Sequence, residues 1–192
     1  MSSSKQTLLT DEQLSRFLNE ALPYVGNSLP TIIDHGGCGI FANMLHEKLS
    51  QCGYASKIII YTPRFSEDGI NFLLKYNELN DSLYSGILHA VVEVNGRRYD
   101  DNGKAKHMRK QEYELTSQQM QLLINDRDIW NSDFDRSCIP LLQSKMDEVF
   151  GKISEYYPGM WSSINTGHVP LNHYSEAHEI DIFGFLNLKN EK

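Results

Sequence analysis

The stretch GILHAVVEVNGRRYDDNG, residues 86–103, limits what this chain can fold into more than any other part of it. Two β-prone runs flank Asn95-Gly96, a dipeptide suited to a two-residue type I′ turn because both central positions need positive φ. That turn sets a register in which Val94 faces Arg97, Glu93 faces Arg98, Val91 faces Asp100 and His89 faces Asn102. Side chains alternate along a strand, so His89, Val91 and Glu93 share a face with Arg98, Asp100 and Asn102, while Ala90 and Asp101 point the other way. An imidazole therefore has a carboxylate diagonal to it and an amide directly opposite. Either Asp100 or Asn102 could fix its tautomer and steady an imidazolium, and the carboxylate is favoured because it holds the charged ring better. A bulge or a one-residue slip would pass the role to Asp101.

The elements around this hairpin alternate in type. Thr10 and Gln13 form a capping box ahead of an apolar helix face of Leu14, Phe17, Leu18 and Ala21, and Gly26, Asn27 and Pro30 mark the loop that follows. A second helix begins at or just after Cys38, with Ile40, Phe41, Met44, Leu45 and Leu49 at helical spacing and Asn43, Glu47 and Lys48 largely on the other face. Gly53 is placed to end it. Residues 54–61, with the run Ile58-Ile59-Ile60, read as a buried strand stopped by Pro63, whereas 70–74 is open between helix and strand. Thr116 caps a helix to about Asp126, 141–156 is a longer amphipathic one, and 180–185 is a possible last strand. This order predicts an α+β fold, a single domain over 1–192 whose core motifs occupy 35–103 and whose remainder, 104–192, is a helical and mixed elaboration.

Cys38 stands at the predicted mouth of the second helix, between Gly37 and Gly39. A cysteine nucleophile must be partly thiolate at neutral pH, which takes positive potential and a nearby base. A helix N-terminus supplies the first through its unpaired N–H groups. Glycines on both sides leave the backbone uncovered, so the amides of Gly37, Cys38 and Gly39 are candidate oxyanion donors. Cys52 and Cys138 read as small buried hydrophobes, and three sparse cysteines predict free thiols rather than a disulfide framework. His35, three residues before Cys38, belongs near the mouth of such a site. With His168, His173 and His178 it also raises a zinc site; their five-residue spacing keeps no helical face and no CxxC pair accompanies them, so no metal and no cofactor are expected. Tyr156, Tyr157, Trp161 and Tyr174 read as core or cleft wall.

GGCGIFANMLHEKLSQCGYASKIIIY followed by HAVVEVNGRRYDDNG resembles the core of the transglutaminase-like branch of the papain-type cysteine enzymes. In that family a Gly-flanked Cys opens a helix, a strand follows, and a His on the next strand has an Asp on its hairpin partner. The likeness implies a papain/transglutaminase-like core, with the nucleophile helix packed on a small antiparallel sheet. It implies Cys38 as nucleophile, His89 as general base and acid, and Asp100 as orienter; the hairpin register and the closeness of His35 to Cys38 add Asn102, Asp101 and His35 as candidate support. Gly39 and Ala90 stand where many relatives carry an aromatic residue. Asp100-Asp101-Asn102 replaces the Asp-Pro common after the hairpin, and Ile32 occupies the place of the oxyanion-hole Gln of papain-like proteases. No calcium loop is evident.

The expected activity is acyl transfer through a thioester: a thiol hydrolase (peptidase or amidase) acting on an amide, peptide or isopeptide bond. The alternatives are an inactive module of the same fold that binds protein as an inhibitor or adaptor, and a transglutaminase-type amine transferase. Residues 64–86 and the C-terminal half would shape the cleft. A net charge of −7 argues against nucleic acid or anionic membrane as partner and leaves a peptide, protein or amide substrate. The absence of a signal-like or membrane-spanning apolar run makes cytoplasmic the default expectation.

Overall fold

The computed structural model describes residues 8–31, 33, 36–63, 66–83, 89–105, 110–126 and 134–161. Helix α1, Asp11–Asn27, opens on the capping box: Thr10 Oγ1 accepts the Gln13 N–H at 3.3 Å and Gln13 Oε1 accepts the Thr10 N–H at 3.0 Å. It buries Leu14, Phe17, Leu18, Ala21, Leu22 and Val25. The helix runs through Pro23 and carries Gly26 and Asn27 in its last turn, so the loop begins later than those residues suggest. Pro23 has no N–H for the carbonyl of Asn19. Nearby, the Asn19 side chain accepts the Lys104 N–H at 2.9 Å.

Helix α2, Cys38–Gln51, lies at the centre, and Cys38, Gly39, Ile40, Phe41, Ala42, Leu45 and Leu49 are all buried. It packs on strands β1, Ser56–Thr62, and β2, His89–Val94, and on helices α4, Ser117–Asn125, and α5, Ile139–Gly151. Asn43, expected on the polar face, is buried too; α4 and α5 cover the side that faces away from the sheet, and its Nδ2 donates to Glu47 Oε1 at 2.9 Å and Gln121 Oε1 at 3.3 Å. Gly53, at φ +87°, ends α2, with the Tyr54 N–H returning to the Leu49 carbonyl at 2.9 Å.

The sheet has the order β4-β3-β2-β1-β5 and is antiparallel throughout, with β3 at Arg97–Asp100, β4 at Gly103–Lys104 and β5 at Gln111–Leu115. Asn95 and Gly96 take φ values of 51° and 70°, and the pairs Val92–Tyr99, Glu93–Arg98 and Val94–Arg97 form in the expected register. One expectation fails at the hairpin's end. The chain turns at Asp101-Asn102 into β4, so Asn102 does not stand opposite His89. The cause is local: Asp100 Oδ1 accepts the Asn102 N–H at 2.9 Å and Gly103 adopts φ +88°.

Strand β5 was not apparent in the sequence, because only Leu115 of its five residues is buried and an edge strand leaves a weak pattern. Residues 70–74 lie in helix α3, Glu67–Tyr76, which ends at Asn77 in the left-handed region, φ 53°. Helix α5 stops at Gly151 rather than continuing to 156, and a 3₁₀ turn, Ile153–Glu155, follows. Trp161 stacks on Tyr24 at 5.0 Å and Tyr156 sets its edge on Phe17 at 5.4 Å, but Tyr157 is 61% exposed and belongs to neither core nor wall. His35, His168, His173, His178, Tyr174 and the 180–185 strand lie outside the described residues. The architecture is a mixed α+β one, with five α-helices among the described residues and a small five-stranded sheet. No helix among them is long and apolar enough to cross a membrane.

Candidate active site

Three elements meet at one end of the sheet. α2 begins at Cys38, β2 begins at His89, and β3 ends at Asp100. His89 Nε2 donates to Asp100 Oδ2 at 3.2 Å, while Cys38 is a second hydrogen-bonding partner of the same imidazole. With Nε2 turned to the carboxylate, Nδ1 is the nitrogen left for the thiol. The other carboxylate oxygen of Asp100 holds the Asn102 amide, so both oxygens are used and the carboxylate is fixed. His89 and Asp100 side chains are only 16% and 14% exposed, and Cys38 is 5% exposed.

Burial works against a charge on His89, but its hydrogen bonds to Asp100 and Cys38 and their charges outweigh it, pushing the imidazole up to about 10 from 6.5. At neutral pH the ring therefore carries its proton and faces the Cys38 sulfur. A raised value adds stability that is whole below the unfolded pKa and lost as pH climbs through the folded one. The stability margin of the parent over His89→Gln is thus expected to shrink between pH 6.5 and about 10. Urea titrations of both proteins across that range check this, and a constant margin would contradict it.

The glycines before Cys38 have separate tasks. Gly36 adopts φ +93°. At Gly37 a Cβ would lie 2.5 Å from Phe134 Cδ2 and 2.9 Å from the Ile33 carbonyl, so the ring of Phe134 covers the helix start only because no side chain is there. The Gly37 N–H donates to the Ile33 carbonyl at 2.7 Å and is not available as an oxyanion donor. The amides of Cys38 and Gly39, in the first turn with no carbonyl of the helix before them, remain the candidates among the described residues. Gly37→Ala should cost about 1–3 kcal/mol by overpacking, read as a shifted urea midpoint. An unchanged midpoint would mean that Phe134 does not press on this turn.

Asp101, the alternative orienter, lies instead against α1, where a Cβ on Gly26 would come 3.1 Å from its carbonyl. Asn102 supports Asp100 only through its backbone amide, and His35 lies outside the described residues. Tyr61, Arg98 and Phe134 were missed. Nothing local signals them, since Tyr61 meets His89 through the β1–β2 register and Phe134 reaches Gly37 from far along the chain. A polar cleft of about 400 Å³, lined by His46, Ser56, Lys57, Glu114, Leu115, Thr116 and Ser117, lies at the opposite end of β1 and takes no part in the Cys38 site. Comparison with protein-family models, curated proteins and solved structures finds no match to this chain.

Proposed function

We propose that this chain is a cysteine-dependent acyl-transfer enzyme with a papain/transglutaminase-like core, acting as a thiol hydrolase on an amide, peptide or isopeptide bond. The observation that carries the reading is the convergence of Cys38, His89 and Asp100, each from a different element, with the imidazole between thiol and carboxylate. With its proton held by His89, the Cys38 sulfur attacks the carbonyl carbon, and the electron pair moves to oxygen, where the Cys38 and Gly39 amides receive it. As the C–N bond breaks, His89 gives its proton to the leaving amine, and a thioester to Cys38 remains. Water then loses a proton to His89 and attacks the thioester; the thiolate departs and the acid is released. Asp100 keeps Nε2–H occupied and steadies the imidazolium throughout. Three free thiols suit a reducing compartment, in keeping with a cytoplasmic site of action.

The burial of Cys38 favours a second reading, an inactive binding module in which the thiol is inert. An activated ester separates the two. Incubation with p-nitrophenyl acetate at pH 7, followed by intact and peptide mass spectrometry, is expected to place one acetyl group on Cys38 and none on Cys38→Ser. Loss of the label with time would mark a hydrolase. Labelling confined to Cys52, or absent, would overturn the enzyme reading.

A further inference from the structure

Tyr61 is fully buried near the end of β1 and stands opposite His89 in the β1–β2 ladder. Its ring lies parallel to the imidazole, with 9° between the planes and 6.5 Å between centroids. The Tyr61 hydroxyl accepts from Arg98 Nη1 at 2.8 Å. Arg98 is itself clamped: it donates to Glu112 Oε1 and Oε2 at 2.7 and 2.8 Å, and its Nε donates to Glu93 Oε2 at 3.0 Å. A bidentate fork of this kind fixes the guanidinium in a plane rather than at a point.

The bond to Asp100 pins one ring nitrogen of His89, and a thiol is too weak a partner to fix the plane of the ring about that bond. The imidazole's last torsion is broad, with no staggered well to hold it. We infer that Tyr61, fixed by the Arg98–Glu112 clamp, is a positioning residue that holds the plane of the His89 imidazole so that its two nitrogens face Asp100 and Cys38 together. The clamp is also electrically suited to its place. A lone guanidinium behind Tyr61 would oppose an imidazolium, but Glu93 and Glu112 outnumber the single charge of Arg98. The catalytic meaning of this positioning rests on the acyl-transfer reading, while the geometry itself does not.

The test uses Tyr61→Phe, which keeps the ring and frees it, and Glu112→Gln, which opens the clamp from a partly exposed position. Two readouts are taken on folded protein: nitrogen-15 NMR of the His89 ring, and the rate of Cys38 alkylation at pH 7. Both variants are expected to hasten exchange of the His89 Nε2 proton by about tenfold and to slow alkylation about three- to tenfold. Arg98→Lys, which keeps the charge but loses the fork, should resemble them rather than the parent. Unchanged ring signals in Glu112→Gln and Tyr61→Phe would overturn the positioning role, whatever His89→Ala does to alkylation. Altered ring signals with alkylation indifferent to His89→Ala would uphold the positioning and sink the acyl-transfer reading instead.

Discussion

Replacing His89 with alanine is expected to slow alkylation of Cys38 at pH 7 by about 30-fold. The figure is the order of magnitude by which a neighbouring base raises a thiol's reactivity over that of an ordinary cysteine. The imidazolium is present because Asp100 and Cys38 hold the ring's proton against the cost of burial. Iodoacetamide kinetics, read by peptide mass spectrometry so that Cys52 and Cys138 are counted separately, measure the ratio. Cys52 provides an internal reference, since burial raises its thiol and its reaction should not respond to His89. A loss of less than about threefold would mean that the imidazole does not activate the sulfur.

Leu45→Ala is expected to cost about 2–5 kcal/mol, among the largest effects a single truncation has. Leu45 is 0% exposed on the helix that touches β1, β2, α4 and α5, so no surface rearrangement can refill the space. For a chain of this size the loss corresponds to a fall in Tm on the order of 10 °C. Because the same helix presents Cys38 at its first residue, the damaged core and a disordered site should appear together. Guanidinium unfolding and Cys38 alkylation on the one variant check both. A cost below about 1 kcal/mol would remove α2 from the centre of the fold.

Legibility in the sequence divides between local and distant causes. The hairpin was readable because Asn95-Gly96 sets its own register, and the pairing of Glu93 with Arg98 follows from a two-residue turn alone. The start of α2 at Cys38 and the capping boxes at Thr10 and Thr116 are equally local, each written within a few residues. The meeting of His89 and Asp100 could be read because both lie on that hairpin. The displacement of Asn102 was a local error: an aspartate bonding the amide two residues on competes with strand extension, and Gly103 completes the turn.

Other features depend on partners distant in the chain. Tyr61 sits in a continuous apolar run, and nothing in that run says which of its residues meets His89. Arg98 reads as a hairpin charge paired with Glu93, yet its bidentate partner is Glu112 on the opposite edge of the sheet. The engagement of the Gly37 amide by Ile33 depends on the backbone path through the glycine turn, which composition does not specify.

The most direct measurement of the central claim is the pH dependence of Cys38 alkylation from pH 5 to 9, in the parent and in His89→Ala. The account predicts a parent rate at pH 6 within a few-fold of that at pH 8, and a variant whose rate climbs about tenfold per pH unit as an ordinary thiol does. A parent that itself climbs in that way, with a profile indifferent to His89, would contradict it.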